Sequence, residues 1–546
     1  MTSRLTSSGM DSGQPKTPVL NLDILLVVIE FCDRRTKSRL SRAWKILHER
    51  AARYLLDGKV EIHSHERLNS LYRFLSVDGY HRIRFLRDLE VWGTYTENPP
   101  ASFGRQLISI LQHSSHLEAL SLVHAEDLVE VCPGTSFEDA LSRLATLRRL
   151  RIHGAGLSVR DMVADLELPL VAMDLEYSQR DPRPEPPPTA LVGPWEERLD
   201  VDEIPDWHPA LICARLAPTL EEFKARLINP EQYRVLWADL DLRVYTNLHT
   251  LVLEDDWPFA RPWIISCPHL KNLSVTSLRW EEGICQEEEE GDWDEHRENS
   301  VNDQRANGSW TALEEYSGYK ILLLYLFGLT CRIPRLVIRE SLDEEGLMML
   351  RAILPEAKPT HLVASVGKVA RFLGEPDGEV GIATLFCEDG AVSYIETLEL
   401  TLDVYDQYVL KVDHRQAVRD LFDALSLLPR LTRLELTLIL WSQDEDELES
   451  TISSESSGTD TAPDAEDAVD VNAPATFIKE TDPDRLARRA MRILTTVKFV
   501  EVVRWGRGLE HLAARLSKDE GGELVVPDGD SEAADLSSDE GSLDES

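Results

Sequence analysis

The chain has 546 residues, of which 42% are hydrophobic, so it can form several domains or one long repeating domain. Its net charge of −39 argues against nucleic acid or a membrane surface as a main partner, because both would repel it. About −32 of this charge falls within residues 281–303, 442–482 and 518–546, which leaves a nearly neutral remainder typical of an ordinary folded protein.

The N-terminus has no apolar core of a secretory signal. The apolar runs at 19–33 and 321–329 are shorter than the roughly 20 residues that a membrane-spanning helix needs. Seven cysteines are scattered along the chain without a CxxC pair, which indicates reduced thiols. These features predict a cytoplasmic or nuclear protein.

Residues 18–58 are predicted to form a small helical domain after a disordered start at 1–17. Asn21 is a good N-cap, and Asp23 in the first turn suits the helix dipole. Two or three helices in so short a stretch cannot bury all of their apolar surface themselves. The unburied part must therefore meet either the rest of the chain or a partner. The apolar residues of the first helix are Leu22, Ile24, Leu25, Leu26, Val28, Ile29 and Phe31.

A repeating pattern then predicts an irregular solenoid over residues 59–440, with insertions near 178–206 and 281–310, and a terminal repeat over 485–517. The pattern is apolar-x-x-apolar-x-apolar, in which the last two residues face one side of a short strand and the first lies in the turn before it. Stacking such units gives a parallel sheet with outer helices. The eleven triads are Leu86/Leu89/Val91, Leu117/Leu120/Leu122, Leu147/Leu150/Ile152, Leu170/Met173/Leu175, Leu220/Phe223/Ala225, Leu248/Leu251/Leu253, Leu270/Leu273/Val275, Ile333/Leu336/Ile338, Ile395/Leu398/Leu400, Leu431/Leu434/Leu436 and Val497/Val500/Val502.

Acidic segments interrupt and end this pattern. Residues 281–299, the insertion at 441–484 and the tail at 518–546 are predicted to be disordered and to keep the chain soluble. They could also contact a basic partner, or the basic helix that carries Arg485, Arg488, Arg489 and Arg492. The proline-rich stretch 181–189 is predicted to be a stiff exposed linker, with docking to an SH3- or WW-type groove as the alternative.

Motifs for chemistry are weak in this chain. The pairs His63/His65 and His113/His116 lack a third metal ligand at a persuasive spacing. The stretch from Gly154 to Gly156 lacks the third glycine of a dinucleotide loop and is predicted to be a repeat turn. We therefore predict no catalytic activity, cofactor or metal.

The stretch VLNLDILLVVIEFCDRRTKSRLSRAWKIL resembles an F-box, and the repeats that follow resemble those of large fungal F-box and leucine-rich-repeat proteins. The resemblance implies that the helical domain docks on a Skp1-type linker and through it on a cullin, while the repeats hold a protein substrate for an SCF-type E3 ubiquitin ligase. The positions that match the family's contact or core residues are Leu20, Asn21, Leu22, Ile24, Leu25, Ile29 and Trp44. The alternative is a stand-alone scaffold in which these helices only cap the solenoid.

The substrate surface is predicted on the outward strand positions between the buried residues, because side chains alternate across a strand. Their mixed polar chemistry favours recognition of a protein over a small apolar ligand. These positions are Arg149, Arg151, Thr250, Glu254, Thr397, Glu399, Thr401, Arg433, Glu435 and Thr437.

Overall fold

A computed structural model gives the fold, and the chain divides into two compact units, residues 1–191 and 192–546. The structure describes residues 22–43, 50, 52–93, 100, 102–132, 135–177, 208–226, 243–254, 260–276, 292–367, 385–386, 393–405, 414–441, 482–506, 511–519 and 522–525.

The first unit begins with three helices, α1 (Leu22–Phe31), α2 (Arg34–Ala43) and α3 (Ala52–Leu55). Asp33 caps α2, since its carboxylate accepts hydrogen bonds of 2.8 Å from the Thr36 backbone N–H and 2.9 Å from the Thr36 hydroxyl. These hydrogen bonds lower the pKa of Asp33. The helical start of the chain is confirmed, but its assignment as an F-box bundle stays a prediction.

Strands and helices alternate through the rest of the first unit. Five strands, β1 to β5, pair in sequence order, and each pair is parallel. The strands are β1 (Lys59–Ile62), β2 (Asp88–Trp92), β3 (Ala119–Val123), β4 (Arg149–Ala155) and β5 (Ala172–Tyr177). The helices are α4 (His65–Ser76), α5 (Ser102–His113), α6 (Ala125–Glu130), α7 (Ser136–Ser142) and α8 (Leu157–Asp165), with a 3₁₀ turn at Ile83–Phe85.

The second unit has the same plan, with strands β6 to β14 parallel and in sequence order. Its strands are β6 (Glu222–Arg226), β7 (Thr250–Glu254), β8 (Asn272–Thr276), β9 (Glu315–Gly318), β10 (Arg335–Leu342), β11 (His361–Val366), β12 (Thr397–Tyr405), β13 (Arg433–Trp441), β14 (Phe499–Gly506), β15 (Leu512–Lys518) and β16 (Leu524–Val525). Its helices are α9 (Pro209–Ile212), α10 (Ala260–Ser266), α11 (Asp292–Asn307), α12 (Ile321–Phe327), α13 (Glu344–Ala357), α14 (His414–Leu425) and α15 (Pro483–Ile493), with a 3₁₀ turn at Ala214–Leu216.

The eleven apolar triads hold each unit together. Every member is buried, and the second and third members lie in a strand as predicted. The strands are also in register: Leu273 is opposite Tyr316, which is opposite Leu336. The α/β fold with a mostly parallel sheet is therefore confirmed, and it matches a solenoid-like arrangement within each unit.

Backbone hydrogen bonds at the start of the strands align most neighbouring repeats. The carbonyl oxygen of Glu118, just before β3, accepts the N–H groups of Arg148 and Arg149 at 2.9 and 3.0 Å. The same carbonyl-to-two-donors arrangement recurs from β6 through β14. At the β9–β10 step only Arg335 donates, since Pro334 has no N–H. Backbone groups thus align neighbouring repeats by hydrogen bonding, a role that asparagine side chains have in regular repeats.

Three parallel strands carry no predicted triad. Strand β1 follows Gly58, β9 has Gly318 in the third apolar position, and β11 has Pro359 in the first. The parallel arrangement does not extend to the end of the sheet. Strands β15 and β16 run antiparallel, and β16 lies in the segment predicted to be disordered.

The prediction of disorder was also wrong for residues 292–299, which belong to helix α11. This helix is held by polar side chains that donate hydrogen bonds to backbone oxygens at the end of α12 and in α13. The Gln304 amide donates to the carbonyls of Phe327 and Gly328 at 2.8 and 3.1 Å. Arg297 donates to the carbonyls of Tyr325 and Ala352 at 3.1 and 3.0 Å. Such anchors leave no apolar periodicity in the sequence.

The proline-rich stretch 181–189, most of the insertion 441–484, residues 281–291 and the tail beyond 525 lie outside the described residues. Across the part of the chain that is described, no helix is both long and apolar enough to cross a bilayer. The five described cysteines are free thiols. Burial raises the pKa of Cys132 and Cys213 to about 12 and that of Cys331 to about 11, which keeps these thiols protonated and unreactive.

Candidate functional site

Helix α1 has one side packed against its helical neighbours. Ile29 is fully buried there, against Leu25, Leu26, Leu40 and Tyr54. All of these contacts come from the first three helices and the residues between them. The N-terminal helices therefore have a small core of their own, centred on Ile29.

The opposite side of α1 carries apolar side chains that are largely exposed. Ile24, Val27, Val28 and Phe31 are 53%, 53%, 45% and 85% exposed. Their spacing of three, four and seven residues places them in one stripe along the helix. Four large apolar side chains side by side in water form the kind of patch that marks a contact surface. We call these four residues the α1 stripe.

The residues predicted to dock divide into three groups. Ile24 lies in the α1 stripe, whereas Ile29 and Leu25 belong to the packed side, and docking by this set stays a prediction. Leu22 is described only as a helical residue, and Leu20, Asn21 and Trp44 lie outside the described residues. The docking set missed Val27, Val28 and Phe31, although their helical spacing from Ile24 is visible in the sequence.

Positive charge follows the stripe directly. Helix α2 begins three residues after Phe31 and carries Arg35, Lys37 and Arg39. Among the described residues, no carboxylate forms an ion pair with these three side chains. The N-terminal helices thus present an apolar stripe followed by cations, which suits a partner surface that is apolar and acidic.

In the first unit, the outward strand face is held by charge pairs. Arg151 contacts Asp174 at 3.1 Å and donates to Nε2 of His153 at 2.6 Å. His153 Nδ1 lies 3.2 Å from Glu176. His153 therefore lies between Arg151 and Glu176, with one ring nitrogen toward each. Arg149 and Arg151 were both predicted on this face, and both are exposed there.

Trp92 is the residue of this face that sequence reasoning missed. Its ring packs edge-on against His63, with centroids 4.9 Å apart, and its indole N–H donates to Glu90 at 2.8 Å. Lys59 also reaches the nearly buried Glu90, at 2.7 Å. Burial acts to raise the pKa of Glu90, but the hydrogen bonds from Lys59 and Trp92 outweigh it and hold the pKa below its ordinary value. A tryptophan held in this way is the type of side chain that anchors protein contacts.

In the second unit, six of the predicted residues lie side by side. Neighbouring strands β12 and β13 place them opposite one another, with Thr397 opposite Arg433, Glu399 opposite Glu435 and Thr401 opposite Thr437. Thr250 and Glu254 lie on β7, five strands away from β12. Glu254 is already paired there, at 2.8 Å from Lys224 and 2.5 Å from Arg226.

A row of carboxylates crosses this face. Glu399, Glu435 and Glu501 are in register on β12, β13 and β14. Like charges directly opposite one another destabilise a sheet, so a neighbouring basic side chain stabilises each carboxylate. His361 lies 2.6 Å from Glu399, Arg433 lies 2.6 Å from Glu435, and Arg515 lies 2.9 Å from Glu501.

The glycine turn before α8 holds a carboxylate of the chain itself. Glu126 accepts hydrogen bonds from the backbone N–H groups of Gly156, Ser158 and Val159 at 2.9, 2.8 and 3.1 Å. A side chain therefore occupies the helix N-terminus that a phosphate would need. In the part of the chain that the structure describes, no group of three or more His, Cys, Asp or Glu residues could hold a metal ion.

Comparison with known proteins gives no assignment. A scan against protein-family profiles finds no match, and a search of curated proteins finds none either.

Proposed function

We propose that this protein is a non-catalytic adaptor that docks through the α1 stripe onto a Skp1-type linker, and through it onto a cullin. In this proposal the outward strand faces bind a protein substrate for an SCF-type ubiquitin ligase. The observation that carries the proposal is that α1 is buried on one side and exposed on the other. Ile29 is fully enclosed, whereas Phe31 on the opposite side is 85% exposed.

The exposure of the α1 stripe supports docking. A helix of ten residues that serves only as a cap would turn its apolar side chains toward the repeats. Four of those side chains on α1 instead remain 45% to 85% exposed. Because apolar surface of this kind is stabilised when a partner covers it, we infer that the stripe is a binding surface.

The alternative function, a stand-alone repeat scaffold with a helical cap, rests on α3. This helix ends four residues before β1, and its Ala52 and the following Leu56 are buried. In this alternative, α3 would be the helix that covers the end of the repeats. Removing residues 1–58, which include α3, tests the scaffold: it predicts a loss of repeat stability, whereas the adaptor proposal predicts stable repeats that no longer bind the linker.

The docking test uses substitutions in the exposed stripe. Wild-type protein should capture purified Skp1-type linker at micromolar concentration, and Ile24→Asp with Phe31→Asp should abolish capture by placing charge in an apolar contact. Val77→Asp is the matched control, because Val77 is 65% exposed elsewhere in the same unit. Failure of the wild-type protein to bind would refute the linker assignment, as would equal binding by the double variant.

A further inference from the structure

A band of arginines runs along the exposed side of helix α15. Arg485, Arg488 and Arg492 are exposed and Arg489 is half-buried, while the apolar side chains of the helix face inward. Their spacing of three, four and seven residues places them on neighbouring turns. We call these four residues the arginine band.

The positive charge of the arginine band is only partly neutralised. Arg488 pairs with Asp484, with Nε to Oδ2 at 2.7 Å. Among the described residues, no other carboxylate forms an ion pair with the band. Arg485 and Arg489 are four residues apart, as are Arg488 and Arg492, and like charges at this spacing repel and destabilise a helix. Covering the band with negative charge would remove that repulsion.

Positive charge continues beyond the end of the helix. Exposed Lys498 lies just before β14, and its carbonyl accepts the backbone N–H of Lys518 at 2.9 Å. The Lys518 ammonium group lies 3.4 Å from the carbonyl of Thr495, in the turn that follows α15. Two lysines therefore lengthen the cationic surface at the C-terminal end of the arginine band.

We propose that the arginine band is a binding surface for an extended acidic segment, and that its occupant is residues 444–470 of the same chain. This segment contains eleven Asp and Glu residues and no Lys or Arg. It lies between Trp441, where β13 ends, and Asp482, which caps α15. Charge complementarity therefore joins two parts of the chain that are already tethered.

The tether is long enough for this contact. Twelve residues from Asp470 to Asp482 span about 40 Å when extended, whereas a helix of eleven residues is about 16 Å long. The segment can therefore run along the whole band. Because it is attached at the start of the helix, its effective concentration is high, and modest ionic contacts are sufficient to hold it.

The test measures whether the band accepts the segment as a separate peptide. A labelled synthetic peptide of residues 442–470 is titrated into the full chain, into a chain lacking 444–470, and into that deletion with Arg485→Gln, Arg489→Gln and Arg492→Gln. We expect the deletion chain to bind the peptide at least tenfold more tightly than either of the others. Raising the salt from about 50 to about 300 mM should weaken binding, because the charges are exposed and screened.

A control variant that should tighten peptide binding separates the effect of charge from the effect of misfolding. Asp484→Asn in the deletion chain removes the carboxylate paired with Arg488 and should tighten peptide binding, whereas a variant that only damaged α15 would weaken it. Equal binding by the full chain and the deletion chain would overturn the proposal. So would unchanged binding by the triple arginine variant. If deleting 526–546 strengthens peptide binding and deleting 444–470 does not, the tail is the occupant of the arginine band and the proposal is wrong.

Discussion

The carboxylate of Glu126 and the backbone of Gly156 are fitted to one another. The Gly156 N–H donates to the carboxylate at 2.9 Å, and a Cβ on Gly156 would lie 2.6 Å from the carboxyl carbon of Glu126. Helix α8 is therefore capped by a side chain from α6, one repeat earlier, and only glycine leaves room for the cap. The cap links neighbouring repeats as well as stabilising the N-terminal end of one helix.

Glu126→Ala should lower the free energy of unfolding of the first unit by about 2 kcal/mol, because three N–H groups lose a charged acceptor. Gly156→Ala should have an effect of similar size, since the new methyl group would displace the carboxylate. Urea denaturation measures both. Glu130→Ala, at the exposed end of the same helix α6, is the control and should change stability by less than about 0.5 kcal/mol. Equal losses for Glu126→Ala and Glu130→Ala would contradict the capping role.

The two sides of α1 should respond differently to truncation. Ile29→Ala removes the fully buried centre of the N-terminal core and should destabilise these helices by about 2 kcal/mol or more. Phe31→Ala removes a side chain that is 85% exposed and should leave their stability nearly unchanged. Hydrogen exchange of the α1 amides measures the local effect, because these helices can open without global unfolding. Faster exchange in Phe31→Ala would show that Phe31 packs within the chain.

His208 should make the second unit sensitive to acid. Its ring is buried beside Trp263, and burial lowers its pKa to about 3. In the unfolded chain a histidine takes up its proton near pH 6.5, whereas the folded protein resists protonation down to about pH 3. The stabilisation is therefore complete above pH 6.5 and is lost as the pH falls toward 3, by up to about 1.4 kcal/mol per pH unit.

His208→Asn is the test of that slope. The His208 ring accepts the Ala210 N–H at 3.1 Å as the cap of α9, and an asparagine oxygen can replace this acceptor without titrating. The free energy of unfolding, measured in urea between pH 4 and 7, should fall less steeply with acid in the variant. Identical pH dependence in the two proteins would exclude His208 as the source.

Tyr316 and Gly318 form a further matched pair. Among the described residues, the buried Tyr316 hydroxyl has no hydrogen-bond partner, so Tyr316→Phe should stabilise the second unit by about 1 kcal/mol. A Cβ on Gly318 would lie 2.7 Å from the Tyr316 ring, so Gly318→Ala should destabilise it. Thermal unfolding measures both shifts. A loss of stability in Tyr316→Phe would show that the hydroxyl is hydrogen-bonded.

The repeats could be predicted from the sequence because burial alternates with a fixed period, and each triad repeats the same three apolar positions. The strands that escaped prediction break that period with a small or cyclic residue, as Gly318 does in β9 and Pro359 does before β11. Helix α11 was not predicted from the sequence for a different reason. It is held by Gln304 and Arg297, whose hydrogen bonds to backbone carbonyls produce no hydrophobic pattern.

The candidate site was predictable only in part. Alternation along the strands correctly placed Arg151 and Glu435 on the outward face. Which side of α1 is covered depends on where α2 and α3 lie, so the sequence could not distinguish Ile29 from Phe31. The position of Trp92 beside His63 likewise depends on the pairing of β2 with β1, which no local pattern shows.

The bonds at the start of the strands also bear on how such a chain can change over time. Since peptide groups hold neighbouring repeats in step, as Glu118 does for Arg148, the side chains at these positions are released from that task. Substitutions can then accumulate along the outward strand positions without shifting one repeat against the next. Such a framework allows the side chains of its outward face to change while the arrangement of the repeats beneath them persists.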